Sequence, residues 1–453
     1  MYITLRGTPK GEAKATNGAG TSGAGSVRSK VPGTVLGLGV VSLLTDISSE
    51  SVAAILPIYI TVVVGLGPLA FGFIDGIYQG ISAFVRIAGG RWADRSDRPK
   101  WVAFAGYGLS AVTRLGLLFV SGFWAITSVV AVDRLGKGLR TGPRDALIAT
   151  ASDPAHLGRN FGVHRAMDTA GALIGPLMAF AILAMFPIGL GGYQTVFVWS
   201  FAFAVVGVAV LALAVPDLRT HSATSTKSAE AVDAPAEAAE SNEAAEAPAP
   251  PAGPRWSDLA NPGLRRLLIA AAVLSLVTIG DGFLYLALEN TGDISAAYFP
   301  LLFVGTNFAY LMLAVPMGKL ADRIGRGKVF VGGYVLLLLC YLIAGFDLGG
   351  LTGVLIVLLL LGTFYAATDG VMSALASRLV PAASRASGIS AAQTVVAMFR
   401  FVASLGFGLL WQFGSLQIAM LVMGIGLALA IPLAGWLLHI RSERSPIPVG
   451  ESA

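Results

Sequence analysis

Two carboxylates stand four residues apart inside an apolar stretch, Asp46 and Glu50 in "VSLLTDISSESVAAILPIYI". On a helix that spacing sets them about 40° apart, on one face, and Thr45 and Ser49 widen the polar patch. A charge at the centre of a membrane helix costs about 2.5–3.5 kcal/mol on insertion scales, so such groups are expected to face a watery interior and to do chemistry there. Arg134, Lys137, Arg140 and Arg144 follow at intervals of three, three and four. They form a basic stripe within an arc of about 120°. The stripe reads in two ways. It is a cationic wall for an anionic or zwitterionic substrate, or it is a set of fixed counter-charges tying spans one, two, four and five together; Asp75 adds a charge in span two whose partner the sequence does not name. "GVHRAMDTAG" puts His164 and Asp168 one turn apart, as a pH-sensitive pair or as groups solvated near the interface. Asp46, Glu50, His164 and Asp168 are therefore the candidates for proton coupling. Arg134, Lys137, Arg140, Arg144 and Asp75 are the candidates for substrate binding. Asp281, Asp369, Arg378 and Arg400 are sparse by comparison, which concentrates the expected chemistry in the first half of the chain.

The elements that must carry these residues are membrane helices. Of 453 residues, 55% are hydrophobic and 13% charged, about half the charged fraction of a soluble domain, and the mean hydropathy is +0.74. Apolar runs long enough to cross hydrocarbon recur throughout. Breaks at glycine, proline and charge clusters predict spans near 34–63, 68–91, 100–120, 123–149, 161–186 and 191–215. A second set is predicted near 264–289, 296–320, 328–346, 350–378, 387–411 and 416–440. Residues 1–32 read as a disordered tail, 33–216 as a first six-helix half and 217–262, rich in Ala, Pro, Glu and Ser, as a disordered linker. Residues 263–441 read as a second six-helix half and 442–453 as a second tail.

Lysine and arginine fall on alternate loops. "GLG", "SGF", "FPIGLGGY", "TGDIS", "FDLGG" and "FGS" hold none, whereas the opposite loops hold "GRWADRSDRPK" and "GKLADRIGRGK". The positive-inside rule then puts both termini in the cytoplasm and the protein in the cytoplasmic membrane. Those two basic segments begin at Gly90 and Gly318, each after the second span of its set, and share Gly, Ala-Asp-Arg, Arg and Lys at the same offsets. Two duplicated six-span halves describe a secondary transporter with its site near the midplane.

In these residues the chain resembles the major facilitator superfamily (MFS), over nearly its whole length apart from tail and linker. Gly90, Asp94, Arg95 and Arg98, and again Gly318, Asp322, Arg323 and Arg326, resemble the superfamily's loop motif; the resemblance implies that they latch helix ends during gating. "DRLGKG" resembles its Arg-bearing motif in span four, with Arg134 and Gly138 at the matching positions. "GALIGP", Gly171 through Pro176 with Gly175 between, matches the first part of its antiporter motif; the later glycines are missing. The first loop copy departs by having Asp97 where the pattern prefers Gly. "DISSE", "GKGLRTGPRDALIA" and "GVHRAMDTAGALIGP" together resemble one prokaryotic branch of the superfamily, whose members are mostly assigned as transporters by resemblance. The implied fold is all-α, with 12 transmembrane helices in two six-helix halves.

Other classes lack their signatures. There is no phosphate-binding Gly-Lys-Ser/Thr loop, no His/Cys cluster for a metal and no nucleophile triad. The single cysteine, Cys340, excludes an intrachain disulfide. The charge of +5 fits basic loops rather than nucleic acid. The expectation is a non-enzymatic monomer without cofactor, moving a small organic molecule by alternating access. Proton-coupled efflux is the favoured direction; uptake by proton symport and uncoupled facilitation are the alternatives.

Overall fold

The computed structural model describes residues 31–95, 98–153, 156–186, 189–218, 261–290, 294–346, 350–381 and 385–439, the side chains of 82–84, 86–95, 385–387 and 439 excepted. Residues 1–30 of the predicted tail 1–32, most of the linker 217–262 and the tail 442–453 lie outside these residues. Twelve helical rods follow one another. In the first half they are α1 (Gly33–Ile58), α2 (Pro68–Arg95), α3 (Pro99–Gly116), α4 (Phe123–Thr150), α5 (Leu157–Met185) and α6 (Leu190–Ala214). In the second they are α7 in two pieces (α7a, Pro262–Leu276, and α7b, Asp281–Asn290), α8 (Phe299–Ile324), α9 (Arg326–Gly345), α10 (Gly350–Arg378), α11 (Arg385–Phe413) and α12 (Leu416–His439). Nine of the rods, among the described residues, are long and apolar enough to cross a membrane. α4 falls short because six charged residues crowd its stretch 133–145.

The packing repeats across the halves. α1 packs on α5 and α6, α2 on α4, and α3 on α4 and α6; α7a packs on α11 and α12, α8 on α10, and α9 on α10 and α12. Each contact recurs six helices later, as a duplication requires. The halves meet along two seams, α2 with α11 and α5 with α8. The first seam is made by glycines. A side chain at Gly72 would strike the Ser404 carbonyl at 2.5 Å, and one at Gly408 would strike the Pro68 carbonyl at 2.6 Å. Rings of Phe71, Phe283 and Phe407 stack beside it, with centroids 4.8 and 4.7 Å apart. These contacts lie towards the end of the bundle where α1 stops and α2 starts.

Two departures from regular helix have identifiable causes. Pro57 lacks an N–H, and α1 ends beyond it in a π turn, Tyr59–Val63, where the Thr61 hydroxyl donates to the Pro57 carbonyl at 2.9 Å. The predicted continuous span 264–289 is instead broken at 277–280. Inside a membrane protein the freed backbone groups need internal partners, and one side chain supplies them. The Tyr341 hydroxyl accepts from the Ile279 amide at 2.9 Å and donates to the Val277 carbonyl at 3.1 Å. Tyr341→Phe would strand both groups at a cost of about 1–3 kcal/mol. We expect a lower melting temperature for the detergent-purified variant, read by the static fluorescence of its tryptophans.

Candidate functional site

α1 presents its two carboxylates to α4, as their spacing requires. Arg140 lies 3.9 Å from Asp46 and Lys137 lies 3.6 Å from Glu50. Both carboxylates stay partly open, at 16% and 24% side-chain exposure, near the middle of a helix about 40 Å long. From α5, Asp168 comes within hydrogen-bonding reach of Asp46. It also pairs with Arg144 at 3.6 Å and Arg165 at 3.4 Å. Arg144 holds Asp145 at 3.0 Å and donates to Ser42 at 3.3 Å. The close approach of α1 and α5 rests on Gly171 and Gly175, where side chains would strike the Leu43 and Ile47 carbonyls at 2.5 and 2.8 Å. These two glycines, with Pro176 buried beside them, set the distance at which Asp46 and Asp168 meet.

Four expected placements differ. His164 is buried rather than solvated, and its Nε2 shares a hydrogen bond with the Ser42 hydroxyl at 3.0 Å rather than with a carboxylate. Arg134 turns away from the cavity-facing part of the stripe. Asp133 holds it at 2.6 Å and Tyr78 covers it, with the guanidinium carbon 3.7 Å from the ring centroid. Arg114 joins the same carboxylate at 2.9 Å. The pocket beside these groups, lined also by Ser49 and Val52, has room for about one water. Asp75 faces α11, not α4, because α2 turns that edge to the other half. It accepts from the Ser404 hydroxyl at 2.7 Å and abuts Gly280 in the break of α7. Finally, charged groups also gather in the second half. Asp281 heads α7b and accepts a hydrogen bond from the Tyr365 hydroxyl, and Arg400 stands over the Tyr365 ring at 5.9 Å. Asp369 is solvent-exposed, yet it lies among Arg400 and Asp281.

Of the two loop motifs, Gly90 to Arg95 lie in α2 with side chains outside the described residues, and Arg98 is exposed just before α3. In the second copy Asp322 pairs with Arg326 at 2.8 Å across the corner between α8 and α9. The corner residue Gly325 has φ of 102°, which L side chains rarely adopt; Asp97, its counterpart, lies outside the described residues. Gly318 has open space around it and Arg323 lies in the last turn of α8. Among the described residues no group of metal-ligating side chains gathers.

Comparison with known proteins agrees with this architecture. An uncharacterized MFS-type transporter of Methanocaldococcus jannaschii is 28% identical over 381 residues, 83% of this chain and 87% of that protein. A Mycobacterium tuberculosis protein is 36% identical over 149 residues, 32% of this chain and 36% of that one. Among solved structures, the nucleoside transporter NupG superposes with a TM-score of 0.72 at 14% identity, over 89% of this chain and 99% of that chain. A peptide transporter, POT, superposes with a TM-score of 0.65 at 16% identity, over 90% and 96%. The sequence pattern of the Major Facilitator Superfamily matches residues 38–289 and 276–453. With twelve helices in two repeated halves and that match along nearly all of them, the chain belongs to the Major Facilitator Superfamily of membrane transporters.

Proposed function

We propose that the protein is a proton-coupled carrier in the cytoplasmic membrane, and that the Asp46–Asp168 pair is where the proton rides. One observation carries the reading. Two carboxyl groups from different helices lie within hydrogen-bonding reach of each other, inside the bundle and partly open to its interior. Carboxyls that close hold together with a proton between them and repel without it. Lys137, Arg140 and Arg144 surround them. A cation that leaves one carboxylate for another as the helices move gives the proton a reason to leave. Glu50 and His164 take supporting places, Glu50 as partner of Lys137 and His164 through Ser42.

The arginine-bearing loops support cytoplasmic termini. The partial antiporter motif at Gly171–Pro176 favours efflux by proton exchange. Proton symport in the uptake direction is the second reading, and the sign of the flux separates them.

Purified protein in liposomes loaded with a pH dye tests the proposal. A panel of organic anions, zwitterions and lipophilic cations is added, and Asp46→Asn is run beside the wild type. Substrate-triggered proton movement in the wild type and none in the variant, at equal protein incorporation, is the expected result. Substrate movement without proton flux in either protein means a facilitator whose carboxylates are structural.

A further inference from the structure

The two walls of the interior differ in their ion pairs: the first has several, and on the second Asp281, Asp369 and Arg400 make none among the described residues. On the first-half wall, Lys137 has Glu50, Arg144 has Asp145 and Asp168, and Arg140 faces Asp46 at 3.9 Å with its Nη1 buried without a hydrogen-bond partner. On the second-half wall, Asp281 takes the Tyr365 hydroxyl, and Asp75, reaching over from α2, takes that of Ser404. Two groups are left over. Asp369 on α10 makes no ion pair and accepts no side-chain hydrogen bond among the described residues, although it is solvent-exposed and within reach of the charges of Arg400 and Asp281. Arg400 on α11 makes no ion pair among the described residues either, and its Nε is buried without a hydrogen-bond partner. A buried guanidinium donor without an acceptor is costly. A ligand carboxylate supplies the missing acceptor, and an ammonium on the same ligand meets the exposed carboxylate of Asp369.

Resting on the transport reading above, we propose that Asp369 and Arg400 are the substrate's head-group site and that the substrate is a zwitterion. Its ammonium sits on Asp369 and its carboxylate takes the planar fork of Arg400, the pairing for which guanidinium geometry is best suited. Tyr365, one turn before Asp369 on α10, is held by Asp281 and has Arg400 over its ring at 5.9 Å, so that ring offers an apolar surface to the carbon that joins the two charges. The division of labour follows: first-half charges, joined in ion pairs, handle the proton, and Asp369 and Arg400, which make no ion pair among the described residues, hold the cargo.

Three probes on one carbon skeleton test the charge requirement: L-phenylalanine, phenethylamine, which lacks the carboxylate, and 3-phenylpropionate, which lacks the amine. Binding to the purified full-length protein in detergent is read by titration calorimetry at millimolar probe. Saturable heat is expected for phenylalanine and at least about tenfold weaker binding for the other two, because each lacks one of the two charge-assisted contacts. Asp369→Asn and Arg400→Gln should each weaken phenylalanine binding to the level of the single-charge probes while eluting as monodisperse protein. Phenethylamine binding as tightly as phenylalanine makes this a cation site, and 3-phenylpropionate doing so makes it an anion site; either overturns the proposal. So does the lack of saturable heat with phenylalanine, or its persistence in both variants. The wild-type comparison needs no variant to fold. Because the readout is binding and not proton flux, phenylalanine can bind as expected even if the coupling assigned to Asp46 fails in liposomes, and the two failures are told apart.

Discussion

Asp133→Ala should keep the chain from accumulating as folded protein. The Asp133 carboxylate is the shared acceptor of Arg114 at 2.9 Å and Arg134 at 2.6 Å, and all three side chains are at most 5% exposed. Thr113 adds a hydroxyl at 3.4 Å, and Tyr78 closes the far side of Arg134. Alanine leaves two guanidinium groups buried without a counter-charge where α2, α3 and α4 meet. Breaking a buried pair in this way costs about 3–5 kcal/mol, and here one carboxylate serves two arginines. That is a large share of the roughly 5–15 kcal/mol by which native proteins are held. The comparison variant is Asp145→Ala. Asp145 also bonds an arginine, Arg144 at 3.0 Å, but its side chain is 41% exposed, and Arg144 keeps Asp168. An exposed pair contributes up to about 1 kcal/mol. With each variant fused to a fluorescent protein, Asp133→Ala should run in the void of a size-exclusion column and Asp145→Ala at the wild-type position. A wild-type profile for Asp133→Ala would mean that this network does not hold the first half together.

The contrast between these aspartates marks what the sequence could reveal. Twelve spans were legible because apolar runs end at charge clusters and glycines, and the helices keep nearly those bounds. The break in α7 was not, since "LVTIGD" contains no proline and its freed amide is satisfied by Tyr341, more than sixty residues later. α5 begins at Leu157, ahead of the predicted 161, because "LGRN" is polar enough to leave the membrane yet still coils. Helical period correctly put Asp46 and Glu50 on one face opposite Lys137 and Arg140. Period alone does not say which part of a stripe a neighbour covers, so it leaves Arg134 open between cavity wall and fixed counter-charge, and only Asp133 and Tyr78 around it distinguish the two. The sequence named no partner for Asp75, whose carboxylate accepts from Ser404, 329 residues away. The second-half groups were passed over for a related reason. Asp281, Asp369 and Arg400 are solitary in sequence, and only the return of α7, α10 and α11 to one wall brings them within reach of each other.

Gly408→Leu should abolish transport while leaving a folded protein. Gly408 is the point where α11 touches the start of α2: a Cβ there would lie 2.6 Å from the Pro68 carbonyl and 3.1 Å from the Leu69 Cα. Backbone cannot retreat as a side-chain end can, so a leucine must push the helices apart. Gly72 repeats the constraint one turn on, against the Ser404 carbonyl, so α2 and α11 cannot pivot around the wedge without a second clash. If alternating access proceeds by rocking one half against the other, the carrier must pass through a state in which this seam is apart, and leucine holds it there. The fold therefore survives while the cycle stops. Ser404 reports the seam because it is buried, hydrogen-bonded to the Gly72 carbonyl at 3.0 Å and to Asp75. Cys340, the chain's single cysteine, is fully buried and silent. A Ser404→Cys reporter should thus react slowly with a membrane-impermeant maleimide when Gly408 is present and several-fold faster beside leucine. Gly332→Leu is the control, since Gly332 is exposed on α9 with nothing near its missing side chain; neither labelling nor transport should change. Equal labelling rates with and without the Gly408 wedge would remove the α2–α11 seam from the gating cycle. Faster labelling with transport intact would mean that the seam opens without being needed, and the α5–α8 seam would then carry the gate alone.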